Sequence, residues 1–125
     1  MVRWQKIIGV LFWLGLIAVF VSSVIPHSVQ TLKEHSNNEQ FFRLDYFLHF
    51  VFYFLLITLF YSWDRGKKIA KRNTLMFFML AIVYASLNEF VQYVIEYRTF
   101  NPVDLFFNVM GVVVAILVNH RRKIL

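Results

Sequence analysis

The chain contains no cysteine, which excludes disulfides, thiolate nucleophiles and cysteine-based metal sites. It has no spaced metal motif such as HExxH. Proline occurs twice, at the edges of apolar runs. Pro26 is expected to end a first helix, and Pro102 suits the first turn of a last one, where its missing N–H is not needed. Charge is sparse as well. Only 16% of residues are charged against 59% hydrophobic, and the mean hydropathy is +0.59. A chain of 125 residues with that balance is too apolar for a soluble domain and reads as an integral membrane protein.

What is present is arranged in four continuous apolar runs. Each is close to the roughly 20 residues that cross a bilayer as a helix. Barrel strands would be about 10 residues long with strict alternation, so helices are the choice. The expectation is an all-α integral membrane bundle of four transmembrane helices, at about 7–25, 45–63, 74–96 and 103–119, forming one domain over 1–125. Val21-Ser22-Ser23 resembles a signal-peptidase site, but the run before it is long for a cleaved signal, so the first helix is expected to be retained.

The net charge of +6 invites a nucleic-acid reading, but its placement has a topological explanation. Ten cations (Arg3, Lys6, Arg65, Lys67, Lys68, Lys71, Arg72, Arg121, Arg122, Lys123) alternate loop by loop with three, Lys33, Arg43 and Arg98. The positive-inside rule places both termini and the 64–73 loop in the cytoplasm. The protein is therefore expected in the cell (cytoplasmic) membrane as a multi-pass protein, with membrane lipids as partners and no nucleic acid. The basic 64–73 segment reads as a loop and topological anchor. His27 and His35 fall in an external polar segment and read as solvated residues.

The exceptions to apolarity carry the interest. Polar groups within a span are costly and call for a reason. Residues three and four apart share a helix face. Asp45, His49 and Tyr53 fall on one face of the second span, and Glu89, Gln92, Tyr93 and Glu96 on one stripe of the third. Asp104, Asn108, Gly111 and Ala115 do the same on the fourth, and Arg98 lies in the turn between. The polar residues among them, Asp45, His49, Glu89, Gln92, Glu96, Asp104 and Asn108, belong to the outer half of the membrane, with Glu89 about 10 Å and His49 about 7 Å deep at 1.5 Å per residue. The inner half, around Ile57, Met79 and Val114, reads as almost purely apolar. A transmembrane ion path needs polar groups at both depths, so a channel or pump is disfavoured.

The ordered set Asp45, His49, Tyr53, Glu89, Gln92, Arg98, Asp104, Asn108 and Gly111 resembles that of the VanZ-like family of small bacterial membrane proteins. The resemblance runs from about Arg43 to Val118, and the first helix looks generic. It implies a cell-envelope context and an association with low-level resistance to the glycopeptide teicoplanin, but it names no reaction. Two positions depart from the pattern. Tyr46 stands where family members often carry Lys, and Glu96-Tyr97 where they often carry Pro-Gly. The first departure weakens the case for a phosphate- or carboxylate-binding role that needs that lysine.

Three functions fit the polar cluster. It is helix-packing glue, although three carboxylates are excessive for that purpose. It is an outward-facing pocket for the polar head of a lipid-linked envelope precursor or an amphipathic antibiotic such as a glycopeptide. Or it is an enzyme site acting on an envelope lipid, with His49 as base oriented by Asp45, or with a divalent cation among Glu89, Asp104 and His49. No resident metal or cofactor is expected. Glu89 has no base on its own helix face, so its charge must be met from another helix or removed by protonation. That predicts inward-facing polar stripes on the second, third and fourth spans, with Glu89 within reach of Asn108, His49 or Arg98.

Overall fold

The computed structural model describes residues 2–24, 44–95 and 100–121, apart from the side chains of 2, 44, 45 and 64. Among the described residues there are five α-helices and no strand: α1 (Val2–Val24), α2 (Leu44–Ser62), α3 (Asp64–Arg72), α4 (Thr74–Val94) and α5 (Pro102–Arg121). The all-α expectation holds. α1, α4 and α5 are each long and apolar enough to cross a membrane, and α2 with α3 forms a fourth candidate across a 98° bend.

α3 corrects the sequence reading of 64–73 as a loop. Its five cations hid a helix whose inner face is made of Gly66 and Ala70, one turn apart and both buried. A Cβ at Gly66 would overlap the Phe60 carbonyl oxygen, so only glycine lets α3 fold back against the end of α2 at this bend. Arg65, Lys67, Lys68, Lys71 and Arg72 are exposed.

The remaining termini follow local chemistry. Pro102 is the first residue of α5, and Asn101 caps it by accepting the Val103 N–H at 3.0 Å. α1 begins at Val2, so the basic start belongs to the helix.

The bundle is apolar outside and polar within. Trp13, Leu14, Ile17, Leu80, Val83, Leu87 and Phe106 are exposed, while Ser23, Asn88, Glu89, Gln92, Asp104, Asn108 and Asn119 are buried. Lipid solvates the first group as well as a core would, and the second can find partners only inside the bundle. This is the pattern of a membrane protein.

α2 makes its most extensive contact with α5 and its next with α1, while α4 packs on α5 and α1. The α2–α5 contact depends on Gly111: a Cβ there would sit 2.5 Å from the Phe50 carbonyl oxygen and 3.1 Å from the Tyr53 Cβ. Two helix backbones thus touch, as small residues allow. At the end of the bundle nearest α3, Phe60 stacks on Phe77 at 4.4 Å and packs against Phe12 at 5.0 Å, joining α2, α4 and α1.

This half is not purely apolar. Asn119 of α5 donates from Nδ2 to the Thr58 hydroxyl at 3.3 Å and to the Ala115 carbonyl at 2.8 Å. The pair is hard to see in sequence because Thr58 is a single small hydroxyl flanked by apolar residues, 61 positions from its partner.

Candidate functional site

The four long helices converge at the bundle end opposite α3, where the C-terminal parts of α1 and α4 meet the N-terminal parts of α2 and α5. α5 presents Asp104, Asn108, Gly111 and Ala115 on one buried face. α4 buries Ala81, Ala85, Asn88, Glu89 and Gln92. Small residues at 81 and 85 bring its neighbours close, and the amides and acid follow on the next turns. This face is centred on Ala85, Asn88 and Gln92 rather than on Glu89. Tyr93, one residue past Gln92, is therefore turned out by about 100° and is 65% exposed, which corrects its assignment to the inner stripe.

Glu89 is fully buried, at 0% exposure. Its Oε1 accepts a hydrogen bond from Asn108 Nδ2 at 2.8 Å. Asn108 Oδ1 in turn lies 2.9 Å from His49 Nδ1, and that nitrogen is 3.8 Å from Glu89 Oε1. The chain of bonds has a direction. A carboxylate oxygen accepts, so the Asn108 amide nitrogen must face it, which turns the amide oxygen towards His49. His49 then donates from Nδ1. Three helices are tied by these two bonds.

A second layer sits beside the first. Asn88 donates from Nδ2 to the Tyr53 hydroxyl at 2.7 Å, linking α4 to α2. Tyr84 donates from its hydroxyl to the Leu16 carbonyl, linking α4 to α1. Ser23 is buried and donates to the Phe20 carbonyl at 2.6 Å.

A cavity of about 110 Å³ opens among these groups. Its polar wall is Ser22, Ser23, His49, Tyr53, Asn88, Glu89, Gln92 and Asn108, and its apolar wall is Val19, Leu48 and Phe52. Ser22, on α1, and Leu48 and Phe52, on α2, are its exposed members.

Of the residues singled out in the sequence, His49, Tyr53, Glu89, Gln92 and Asn108 meet at this cavity. Asp104 is buried in the first turn of α5 and is not part of the cavity wall. The Asp45 side chain, Glu96 and Arg98 lie outside the described residues. Among the described residues no three His, Asp or Glu side chains converge to hold a metal ion, so Glu89, Asp104 and His49 do not form a shared cation site. Tyr46 stacks on Phe107 at 5.6 Å and its hydroxyl lies 3.4 Å from Asn101 Nδ2, so the position packs α2 against α5. Sequence reasoning missed Asn88 and the contribution of α1. The signal for Asn88 was its place in the 81, 85, 88, 92 series at four- and three-residue steps.

A family model described as VanZ/LLP1 matches residues 7–121. The chain belongs to that family. The match includes α1, which the residue-by-residue resemblance had left out as generic. No curated protein and no solved structure matches the chain.

Proposed function

We propose that this VanZ-like protein is a multi-pass protein of the cytoplasmic membrane that binds the polar head of a lipid-linked or amphipathic envelope ligand, and that this binding contributes to glycopeptide (teicoplanin) resistance. The observation that carries the reading is a buried polar wall bordered by exposed residues on α1 and α2. These residues, Ser22, Leu48 and Phe52, lie on faces that otherwise meet lipid. An amphiphile can leave its chain among the lipids and turn only its head inward. A cavity of about 110 Å³ suits a head group rather than an entire glycopeptide. Arg3, Lys6, the α3 cations and Arg121 gather at the opposite end, which supports cytoplasmic termini and a cavity at the outer leaflet.

A second reading rests on the ordered chain from His49 through Asn108 to Glu89. A histidine held with its proton on Nδ1 is prepared to act as a base from Nε2, as an enzyme working on an envelope lipid would require. Helix-packing glue is the third.

Expression in a glycopeptide-susceptible bacterial host separates them. The wild-type chain should raise the inhibitory concentration of teicoplanin. Glu89→Gln and His49→Ala should return it to baseline while the folded protein remains in the membrane. Full protection by both variants would refute a functional cavity. Ligand retained with turnover lost would favour the enzyme.

A further inference from the structure

The cavity wall also bears on which head group it takes, an inference that rests on the binding reading above. We propose that the site selects an uncharged, polyhydroxylated head, of the kind a single sugar presents, on an apolar chain. Its polar wall consists of hydroxyls (Ser22, Ser23, Tyr53), amides (Asn88, Gln92, Asn108), one imidazole and one carboxyl group. No Lys or Arg among the described residues lines it. The described cations sit at the other end of the bundle or on α3.

Each alternative head answers only part of this wall. A phosphate or carboxylate would enter a low-dielectric space beside Glu89 with no described Lys or Arg in the wall to balance it, and like charges there repel strongly. An alkylammonium would be drawn to Glu89 but has no acceptor, so the amide N–H groups of the wall that face the cavity would lose water without a new partner. A hydroxyl both donates and accepts, and a ring of them can answer an amide wall in both senses. Asn88 adds an independent sign. It is buried in the wall, its Nδ2 is engaged with Tyr53, and its Oδ1 accepts no hydrogen bond from any described residue. A donor is wanted there, and a phosphate dianion has none. Phe52, exposed at the rim, offers the apolar ring face against which a sugar packs.

Three amphiphiles with one chain and different heads test this: dodecyl glucoside, dodecyl phosphate and dodecyltrimethylammonium. Each is titrated into the full chain in zwitterionic nanodiscs, with bound ligand counted by native mass spectrometry. Ser22→Trp, at the exposed rim, serves as the blocked control, and Leu48→Trp replaces it if circular dichroism shows Ser22→Trp misfolded. The glucoside should bind at least tenfold tighter than the other two, and the block should abolish the difference. Preferential binding of the phosphate or the ammonium, sensitive to the block, would overturn the head-group class and leave the cavity standing as a binding site. If no amphiphile binds in a block-sensitive way, the binding reading fails and this inference with it.

Discussion

Gly111→Ala should destabilise the bundle, against the sign that helix propensity predicts. In an ordinary helix interior the change gains about 0.5–1 kcal/mol. Here the new Cβ would lie 2.5 Å from the Phe50 carbonyl oxygen, 3.1 Å from the Tyr53 Cβ and 3.2 Å from the Phe54 nitrogen. Two of these are backbone atoms, so no rotamer change relieves the overlap. Ordinary contact begins near 3.4 Å, so α2 and α5 must part by about 0.9 Å. Overpacking of this kind costs about 1–3 kcal/mol. At mid-range values, about 2 kcal/mol of overpacking less about 0.75 of propensity, the net expectation is a loss of roughly 1 kcal/mol. Asn108 lies one turn from Gly111, so the same parting should stretch the 2.9 Å contact with His49 past the about 3.5 Å at which a hydrogen bond is lost. Gly15→Ala is the internal control. Its Cβ would meet only the Leu56 Cδ1 at 3.4 Å, the end of a flexible side chain, so that variant should be neutral or slightly stabilised. Unfolding of both variants in lipid-containing micelles, with the His49 ring proton followed by NMR, reads both effects. A Gly111→Ala protein as stable as the wild type, or more so, would refute the close α2–α5 approach.

Glu89→Gln should keep the fold and helix content while abolishing the envelope phenotype. Glu89→Ala should in addition lower stability by about 1–2 kcal/mol, because Asn108 loses its buried acceptor; equal stability of the two, measured by unfolding in micelles, would contradict the bond. Asn119→Ala should cost under about 1 kcal/mol, the usual scale of such contacts in membranes, and should leave teicoplanin protection unchanged, since Asn119 lies at the far end from the cavity. Reporter fusions at Asn37 and Leu125 should report opposite sides of the membrane, and a same-side result would sink the four-span topology.

The helices were legible because an apolar run of membrane length has few other options. The α5 face was legible for a sharper reason: an acid, an amide, a glycine and an alanine at four- and three-residue steps form a stripe that lipid would not tolerate. His49 and Tyr53 were found in the same way. Asn88 was hidden by its neighbour. Glu89 is the costlier residue, so the stripe was centred on it, whereas packing centres the face on the small residues Ala81 and Ala85. α3 was hidden because its cations suggested a solvated loop, while the two residues that seat it, Gly66 and Ala70, have almost no side chain to notice. The part played by α1 was beyond any single stretch. Ser22 and Ser23 gain meaning only when α2 and α4 are seen to stand beside them, and that adjacency is tertiary.

The space beside the polar chain bears on the choice among the three functions. Helix-packing glue works best when it is packed shut, because a void deprives its lining of contacts and each unfilled volume costs stability. Here Glu89, Asn108 and His49 are linked by hydrogen bonds and still border about 110 Å³ of open space. Packing alone would not require that opening, nor the two further amides, Asn88 and Gln92, that line it. A polar-walled cavity is stabilised by what enters it, water or a head group, and the apolar rim of Leu48 and Phe52 gives a head group that carries a chain the advantage over water. In the proposed binding role, the bonds that fix His49 would hold the wall in one arrangement beforehand, which reduces the ordering cost of binding.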